Sequence, residues 1–260
     1  FERRFTDYRA ILGSSAVRPN PGGACSGYLV EAGGSRVLVD CGPGVASELM
    51  RYCRPRDLDA VLLSHAHPDH CSDLLFLRQS LRYGPDEERG AALPVWLAPA
   101  SEPVVRALGD VFADGAGFWE PAIELRRFDE HEALEIGPLR VAFHPTLHYV
   151  PCWGMRIAAG GTVVAYGADS GPCDALAEIG READLFLVEC TLPRREGFES
   201  QFGHLSAFEA GQAAAAAGAR RLLLTHTFAR YPADELIASA AEAYAGPIAV
   251  AAKGHVWTPG

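Results

Sequence analysis

The sequence predicts an α/β fold in which two sheets pack face to face with helices on their outer sides, four layers in all. Three observations predict it. Strand-like and helix-like runs alternate through the 260 residues. Gly/Pro clusters at Pro19-Asn20-Pro21-Gly22-Gly23, Gly42-Pro43-Gly44, Gly84-Pro85-Asp86 and Gly171-Pro172 punctuate those runs. Finally, Val61-Leu62-Leu63-Ser64-His65 is echoed by Leu222-Leu223-Leu224-Thr225-His226. The echo suggests two halves, each a sheet edge feeding side chains to a shared rim.

In chain order, apolar runs bounded by turn residues predict strands over 27–30, 36–40, 60–64, 94–98, 139–144, 155–158, 162–167, 185–189 and 221–225. Amphipathic runs predict helices over 45–53, 71–83, 103–112, 175–181, 206–217 and 233–244. The helix at Ser206 has the clearest start. Ser206-Ala207-Phe208-Glu209 fits a capping box, in which the Ser and Glu side chains satisfy each other's free amides. Length and a hydrophobic content of 48% suit one domain over residues 1–260.

A formal net charge of −10 argues against a broad nucleic-acid surface, which needs clustered Lys and Arg to displace counterions. Small anionic substrates stay compatible, since bound divalent metals would reverse the field locally. The seven cysteines are odd in number, scattered and without a C-x-x-C pair, which reads as a reduced, cytoplasmic protein using Cys for packing. No apolar stretch reaches membrane-span length, and Phe1-Glu2-Arg3-Arg4-Phe5 does not read as a signal peptide. The chain starts without Met, which leaves a preceding segment open.

Chemistry concentrates at Ser64-His65-Ala66-His67-Pro68-Asp69-His70, where four metal-ligand side chains fall within six residues after an apolar run. At a strand end, His65 and His67 stand two residues apart and leave the backbone on the same side. Asp69 and His70 are expected on the turn beyond, which would fold the second pair back toward the first and let two cations sit side by side. Crowded His and Asp are costly unless something neutralises and orients them. Three further ligand types stand at predicted strand ends: His148, Asp169 and His226. A carboxylate suits the bridging position, because each oxygen takes one metal and its charge offsets their repulsion.

With these residues in place, the chain resembles the metallo-β-lactamase superfamily, in particular the branch containing RNase Z, the endonuclease that processes tRNA 3′ ends, and related phosphodiesterases. The resemblance runs over most of the chain. It rests on Ile11-Leu12-Gly13-Ser14-Ser15-Ala16, Leu38-Val39-Asp40-Cys41-Gly42, the His65 to His70 motif and His148-Tyr149-Val150-Pro151-Cys152-Trp153-Gly154. It continues through Gly167-Ala168-Asp169-Ser170, Val188-Glu189-Cys190-Thr191, Gly203-His204-Leu205-Ser206 and Thr225-His226-Thr227-Phe228-Ala229-Arg230-Tyr231. It implies the αββα metallo-β-lactamase sandwich with a metal site at the rim of the two sheets. One metal would take His65, His67, His148 and a bridging Asp169, and the other Asp69, His70, His226 and Asp169. Zinc is expected at both, with manganese or iron as alternatives. His67, where a carboxylate would favour an iron redox centre, points to hydrolysis.

His204 precedes the capped helix, whose free amides would welcome a phosphate. In RNase Z-like proteins a His in this context assists the leaving group; the other reading is that it packs or caps at the helix entry. Glu189 looks like the acid that orients His204 and keeps it protonated. Asp69 would orient a hydroxide held between the metals and accept its proton. Asp40 would support ligand imidazoles by hydrogen bonds, a role that a turn-forming Asp would mimic. Arg230 and Tyr231 suit phosphate binding, solvent exposure or packing. His131, His144 and His255 match no ligand position.

The chain lacks the basic, Gly/Pro-rich arm with which RNase Z grips tRNA: between His70 and His148 it has the short acidic Gly84-Pro85-Asp86-Glu87-Glu88-Arg89-Gly90. The expected activity is therefore metal-dependent hydrolysis of small or cyclic phosphodiesters, with long nucleic acid and membrane not expected as partners. Alternatives are a carboxylic-ester, lactone or thioester hydrolase, an RNase Z-type endonuclease and a metal-stabilised binding domain. A homodimer is the common state of the branch, and the small residues of 212–219 would permit close helix packing.

Overall fold

The computed structural model describes residues 8–85, 90–113 and 117–258. The first sheet begins with β1 (Tyr8–Gly13), β2 (Gly27–Ala32), β3 (Ser35–Val39), β4 (Ala60–Leu62), β5 (Leu93–Leu97) and β6 (Ile123–Arg127). The second takes β7 (Leu134–Ile136), β8 (Leu139–Pro145), β9 (Trp153–Ala159), β10 (Thr162–Tyr166), β11 (Leu185–Glu189), β12 (Leu222–Thr225) and β13 (Ile248–Val250). The chain then returns to the first sheet, where β14 (Val256–Trp257) pairs with β1. The strand orders are β14-β1-β2-β3-β4-β5-β6 and β13-β12-β11-β10-β9-β8-β7. Each sheet joins an antiparallel part to a parallel part, β3 to β6 in the first and β10 to β13 in the second.

Strand alternation builds the layers. Val37, Val39 and Leu62 of the first sheet meet Leu185, Leu187 and Leu223 of the second in the core between the sheets. The intervening Leu38 and Val61 face outward onto α1 (Val45–Leu49), α3 (Leu74–Tyr83) and α4 (Glu102–Asp110) through Val45, Leu49, Leu74, Leu77 and Val105. Phe186, Leu222 and Leu224 do the same on the other side, against α5 (Ala175–Gly180), α6 (Ala207–Ala217) and α7 (Ala233–Ala241). Burial on both faces explains why these strands read as continuous apolar runs.

Four expectations need correction. Asp69 and His70 do not lie on a turn but on the short helix α2 (Pro68–Cys71), which Pro68 opens at a position where its missing N–H costs nothing. The helix expected over 71–83 starts at Leu74, because α2 already ends at Cys71 and residues 72–73 turn between the two; the Asp73 carboxylate accepts from the backbone N–H of Ala46 at 2.9 Å and caps no amide of α3. The helix expected over 45–53 ends at Leu49. The echoed strands β4 and β12 are interior strands, each paired on both sides, so it is their ends and not sheet edges that reach the rim. Within the acidic segment 84–90, residues 86–89 lie outside the described residues. Of the small residues of 212–219, Ala214, Ala217 and Ala219 are buried in the core with α5 and α7, while Ala215, Ala216 and Gly218 are exposed. Gly211 lies so close that a Cβ there would stand 2.3 Å from the Ala240 carbonyl oxygen. No described helix is long and apolar enough to cross a membrane.

Candidate metal centre

The ends of β3, β4, β10, β11 and β12 open at one rim, the place where parallel α/β sheets present their ligand sites. β3 delivers Asp40, the end of β4 delivers His65 and His67, β10 delivers Asp169 and β12 delivers His226. His148 comes from the loop after β8. That loop is tied to its neighbours where Thr146 Oγ1 donates to the Asp169 carbonyl at 2.8 Å. Asp40, Ala168 and His226 adopt φ of 56°, 52° and 53°, left-handed backbone that side chains with a Cβ rarely take. Strain of this kind, at Asp40 and His226 and next to Asp169, is what a site-forming turn stores.

All seven predicted ligand side chains converge. His65, His67 and His148 form one group and Asp69, His70 and His226 another, with ligand atoms mutually within 4.8 Å in each. Asp169 lies between them. Its Oδ2 is 3.9 Å from His65 Nε2, 3.8 Å from His148 Nε2 and 3.5 Å from His226 Nε2, and its Oδ1 is 3.3 Å from His70 Nε2.

Hydrogen bonds on the outer ring nitrogens fix which atoms face inward. His148 Nδ1 donates to the Gly203 carbonyl at 2.8 Å. His70 Nδ1 donates to Asp40 Oδ2 at 2.8 Å, and His65 Nδ1 reaches the same carboxylate through Ser64 Oγ. Thr191 Oγ1 gives its proton to the His226 carbonyl and so accepts from His226 Nδ1 at 2.8 Å. Each of these four rings therefore turns its Nε2 inward. His67 presents Nδ1 instead, 3.1 Å from both His65 Nε2 and His148 Nε2.

This donor set fits divalent cations. Burial first, and then neighbouring positive charge, lowers the pKa of His65, leaving its ring nitrogen free of a proton. Burial also lowers those of His67 and His148, against the pull of Asp169. Asp169 Oδ1 is buried and has no hydrogen-bond partner among the described residues. Burial disfavours a charged His70, yet Asp169 and Asp40 outweigh it and carry its pKa well above the usual imidazole value. The pocket thus calls for positive charge at its centre, and imidazole with carboxylate suits zinc-like ions. The thiols are not competitors. Burial raises Cys25 and Cys71 to about 12, and Cys152, whose Sγ lies 3.5 Å from His65 Nδ1, is pushed up as well.

Asp69 and His204 flank the cluster. Burial works to raise Asp69, but the His226 hydrogen bond at 3.1 Å and the nearby imidazoles hold it at about 2. Its Oδ2 also accepts from the backbone N–H of Val17 at 2.9 Å. His204 Nδ1 lies 2.8 Å from Glu189 Oε1; burial opposes a charge on the ring, while Glu189 overcomes it and raises the pKa. Glu189 is itself pinned by the N–H groups of Ser170 and Thr191 at 3.2 and 3.0 Å. Arg230 stacks over Tyr231 at 4.7 Å. His131 and His255 are exposed and His144 is half-buried on β8; none of them joins the cluster.

Sequence reasoning passed over several supporting groups. Thr191 stands two residues beyond Glu189 at a strand end, which was a usable signal. Tyr166, which donates to Asp40 Oδ2 at 2.8 Å, is a polar-tipped residue inside an apolar strand. Arg195 carried no local signal. Its guanidinium reaches the carbonyls of Gln201 and His204 at 3.0 and 2.6 Å and the Glu209 carboxylate at 2.9 and 2.6 Å.

Comparison with known proteins agrees with this geometry. A model of the β-lactamase superfamily domain matches residues 35–227. The Bacillus subtilis protein named "Probable metallo-hydrolase YhfI" is 33% identical over 249 residues, covering 95% of this chain and 98% of its own. A Ribonuclease Z of Bradyrhizobium diazoefficiens is 31% identical over 282 residues, covering 90% of this chain and 94% of its own. The crystal structure of the metallo-β-lactamase fold protein YhfI matches at a TM-score of 0.86 and 31% identity, over 98% of this chain and 100% of that one. The chain therefore belongs to the β-lactamase superfamily domain family and is a metallo-hydrolase of that superfamily.

Proposed function

We propose that the protein is a phosphodiesterase acting on small or cyclic phosphodiesters. In this reading His65, His67, His148 and Asp169 hold one divalent cation, and Asp69, His70, His226 and Asp169 hold a second, zinc in both cases. The observation that carries it is the His204–Glu189 pair standing beside the His/Asp cluster at the entry of α6. Expulsion of an alkoxide from phosphorus calls for a general acid at the departing oxygen, whereas the thiolate of a thioester leaves without one. The Ribonuclease Z relative points to the same bond class.

When bound, such cations polarise a phosphoryl oxygen and bring a water's pKa toward neutrality. The chain's own residues do the rest. Asp69, ionised at neutral pH, accepts a hydrogen bond from the attacking water and orients it. His204, kept protonated by Glu189, gives its Nε2 proton to the oxygen that departs from phosphorus. Glu189 balances the imidazolium, and Asp40 holds His70, and His65 through Ser64, in the donor tautomers described.

The test is hydrolysis by the zinc- or manganese-loaded protein of bis-p-nitrophenyl phosphate, cyclic nucleotides, a tRNA precursor, a lactone and a thioester. Turnover concentrated on small phosphodiesters is expected. Turnover confined to the lactone or thioester would overturn the assignment, and turnover confined to the tRNA precursor would move the protein to an RNase Z-type role, which its 31% identical relative makes the second reading.

A further inference from the structure

Beside His148 and His204 stands a pair of aromatic side chains that remain largely open to solvent. Tyr149 is 42% exposed and Phe202 51%, and their rings meet edge to face with centroids 4.8 Å apart. Tyr149 also contacts His148 at 5.1 Å and His204 at 5.6 Å between centroids, so the pair continues directly from the metal cluster and the proposed acid.

The Tyr149 ring is held from several directions. Its hydroxyl donates to Gln201 Oε1 at 3.0 Å. It lies against the backbone of Gly203, where a Cβ would stand 2.9 Å from Cε2, so only glycine admits the ring. A large apolar ring fixed in place yet open to solvent costs little entropy on binding and presents a surface for a flat partner. The exposed Phe76, Tyr83 and Phe112 differ in place: they lie on or just after α3 and α4, outside the first sheet.

We propose that Tyr149 and Phe202 form a stacking platform for a planar ring of the nucleobase type, carried on the leaving-group side of the phosphodiester. This rests on the phosphodiesterase reading and narrows its substrates to nucleotides. Nothing in the platform reads base edges, so it favours a ring over none and discriminates weakly among bases.

The test is calorimetric titration of the zinc-loaded protein with adenosine 5′-monophosphate and with ribose 5-phosphate, which share the phosphate and sugar. The nucleotide is expected to bind about ten-fold tighter or more. Tyr149→Leu and Phe202→Leu should each remove most of that ratio, Tyr149→Phe should keep it, and Phe112→Leu, remote from the site, should leave it unchanged. Equal binding of the two ligands by the parent protein, failure of the nucleotide to bind, or an undiminished ratio in both Leu variants would overturn the platform. Bis-p-nitrophenyl phosphate turnover, measured separately, reports on the phosphodiesterase reading: its absence with the ratio intact would overturn that reading and not the platform.

Discussion

Asp40 shows how much one residue can organise. Fully buried, it accepts from the backbone and hydroxyl of Ser64, from His70 Nδ1 and from the Tyr166 hydroxyl, and so sets the orientation of ring nitrogens on both sides of the cluster. Asp40→Asn places an amide donor among donors. Metal affinity, measured by chelator competition, is expected to fall by about 10–100-fold, as for other groups that orient metal-bound imidazoles. Unchanged affinity would show that Asp40 does not orient the ligand imidazoles. His204 yields a pH prediction. Its folded pKa lies above the free value, so the acid form extends to higher pH than in a free imidazole and is lost as pH rises through that raised value. The rate on a phosphodiester with an alkoxide leaving group should therefore fall on the alkaline side, and Glu189→Gln should move that limb to lower pH. These residues were legible because their types cluster within short motifs. The Val17 amide and Arg195 were not: Val17 acquires its role from Asp69, far along the chain, and Arg195 from two backbone carbonyls and a carboxylate that no motif links to it.

Among the elements, α6 and the loop before it couple stability to the site. The predicted capping box is present, with the Ser206 N–H donating to Glu209 Oε2 at 2.8 Å. Glu209 does double duty, because Arg195 clamps it to the carbonyls of residues 201 and 204 and thereby braces the loop carrying His204. Ser206→Ala should cost about 1 kcal/mol in thermal or denaturant unfolding. Arg195→Met should lower kcat on the alkoxide substrate by about ten-fold or more, through misplacement of His204, while its Tm shift stays as small as that of Ser206→Ala. Equal losses on p-nitrophenyl and alkoxide esters would argue that Arg195 only stabilises the fold. The interior strand β1 and the edge strands β6, β7, β13 and β14 escaped sequence reading. β6, Ile-Glu-Leu-Arg-Arg, sits at a sheet edge with three residues exposed, and β7 and β13 are three-residue edge strands. Edge strands need only one buried face, so they lack the apolar run that betrayed β4, β11 and β12.

For the whole molecule, the echoed apolar runs made the sandwich legible, because only strands covered on both faces read that way, and two such sets imply two sheets with outer helices. The packing of the two sheets then brings Asp40 and Tyr166 from opposite halves into one hydrogen bond, so the site is a product of the interface between sheets. Cations at that interface should tie the halves together. Stripping metal with a chelator is expected to lower Tm and re-addition to restore it, since a ligand at a thousand times its Kd adds about 4 kcal/mol. Protonation competes for His70, so metal affinity should fall as pH falls. The most direct measurement compares His204→Ala with the parent across phosphodiesters whose leaving groups range from p-nitrophenol to simple alkoxides. The variant's rate is expected to drop about 10²–10⁴-fold on the alkoxides and little on p-nitrophenyl esters, a steeper dependence on leaving-group pKa. Parallel dependences for the two proteins would contradict His204 as the acid.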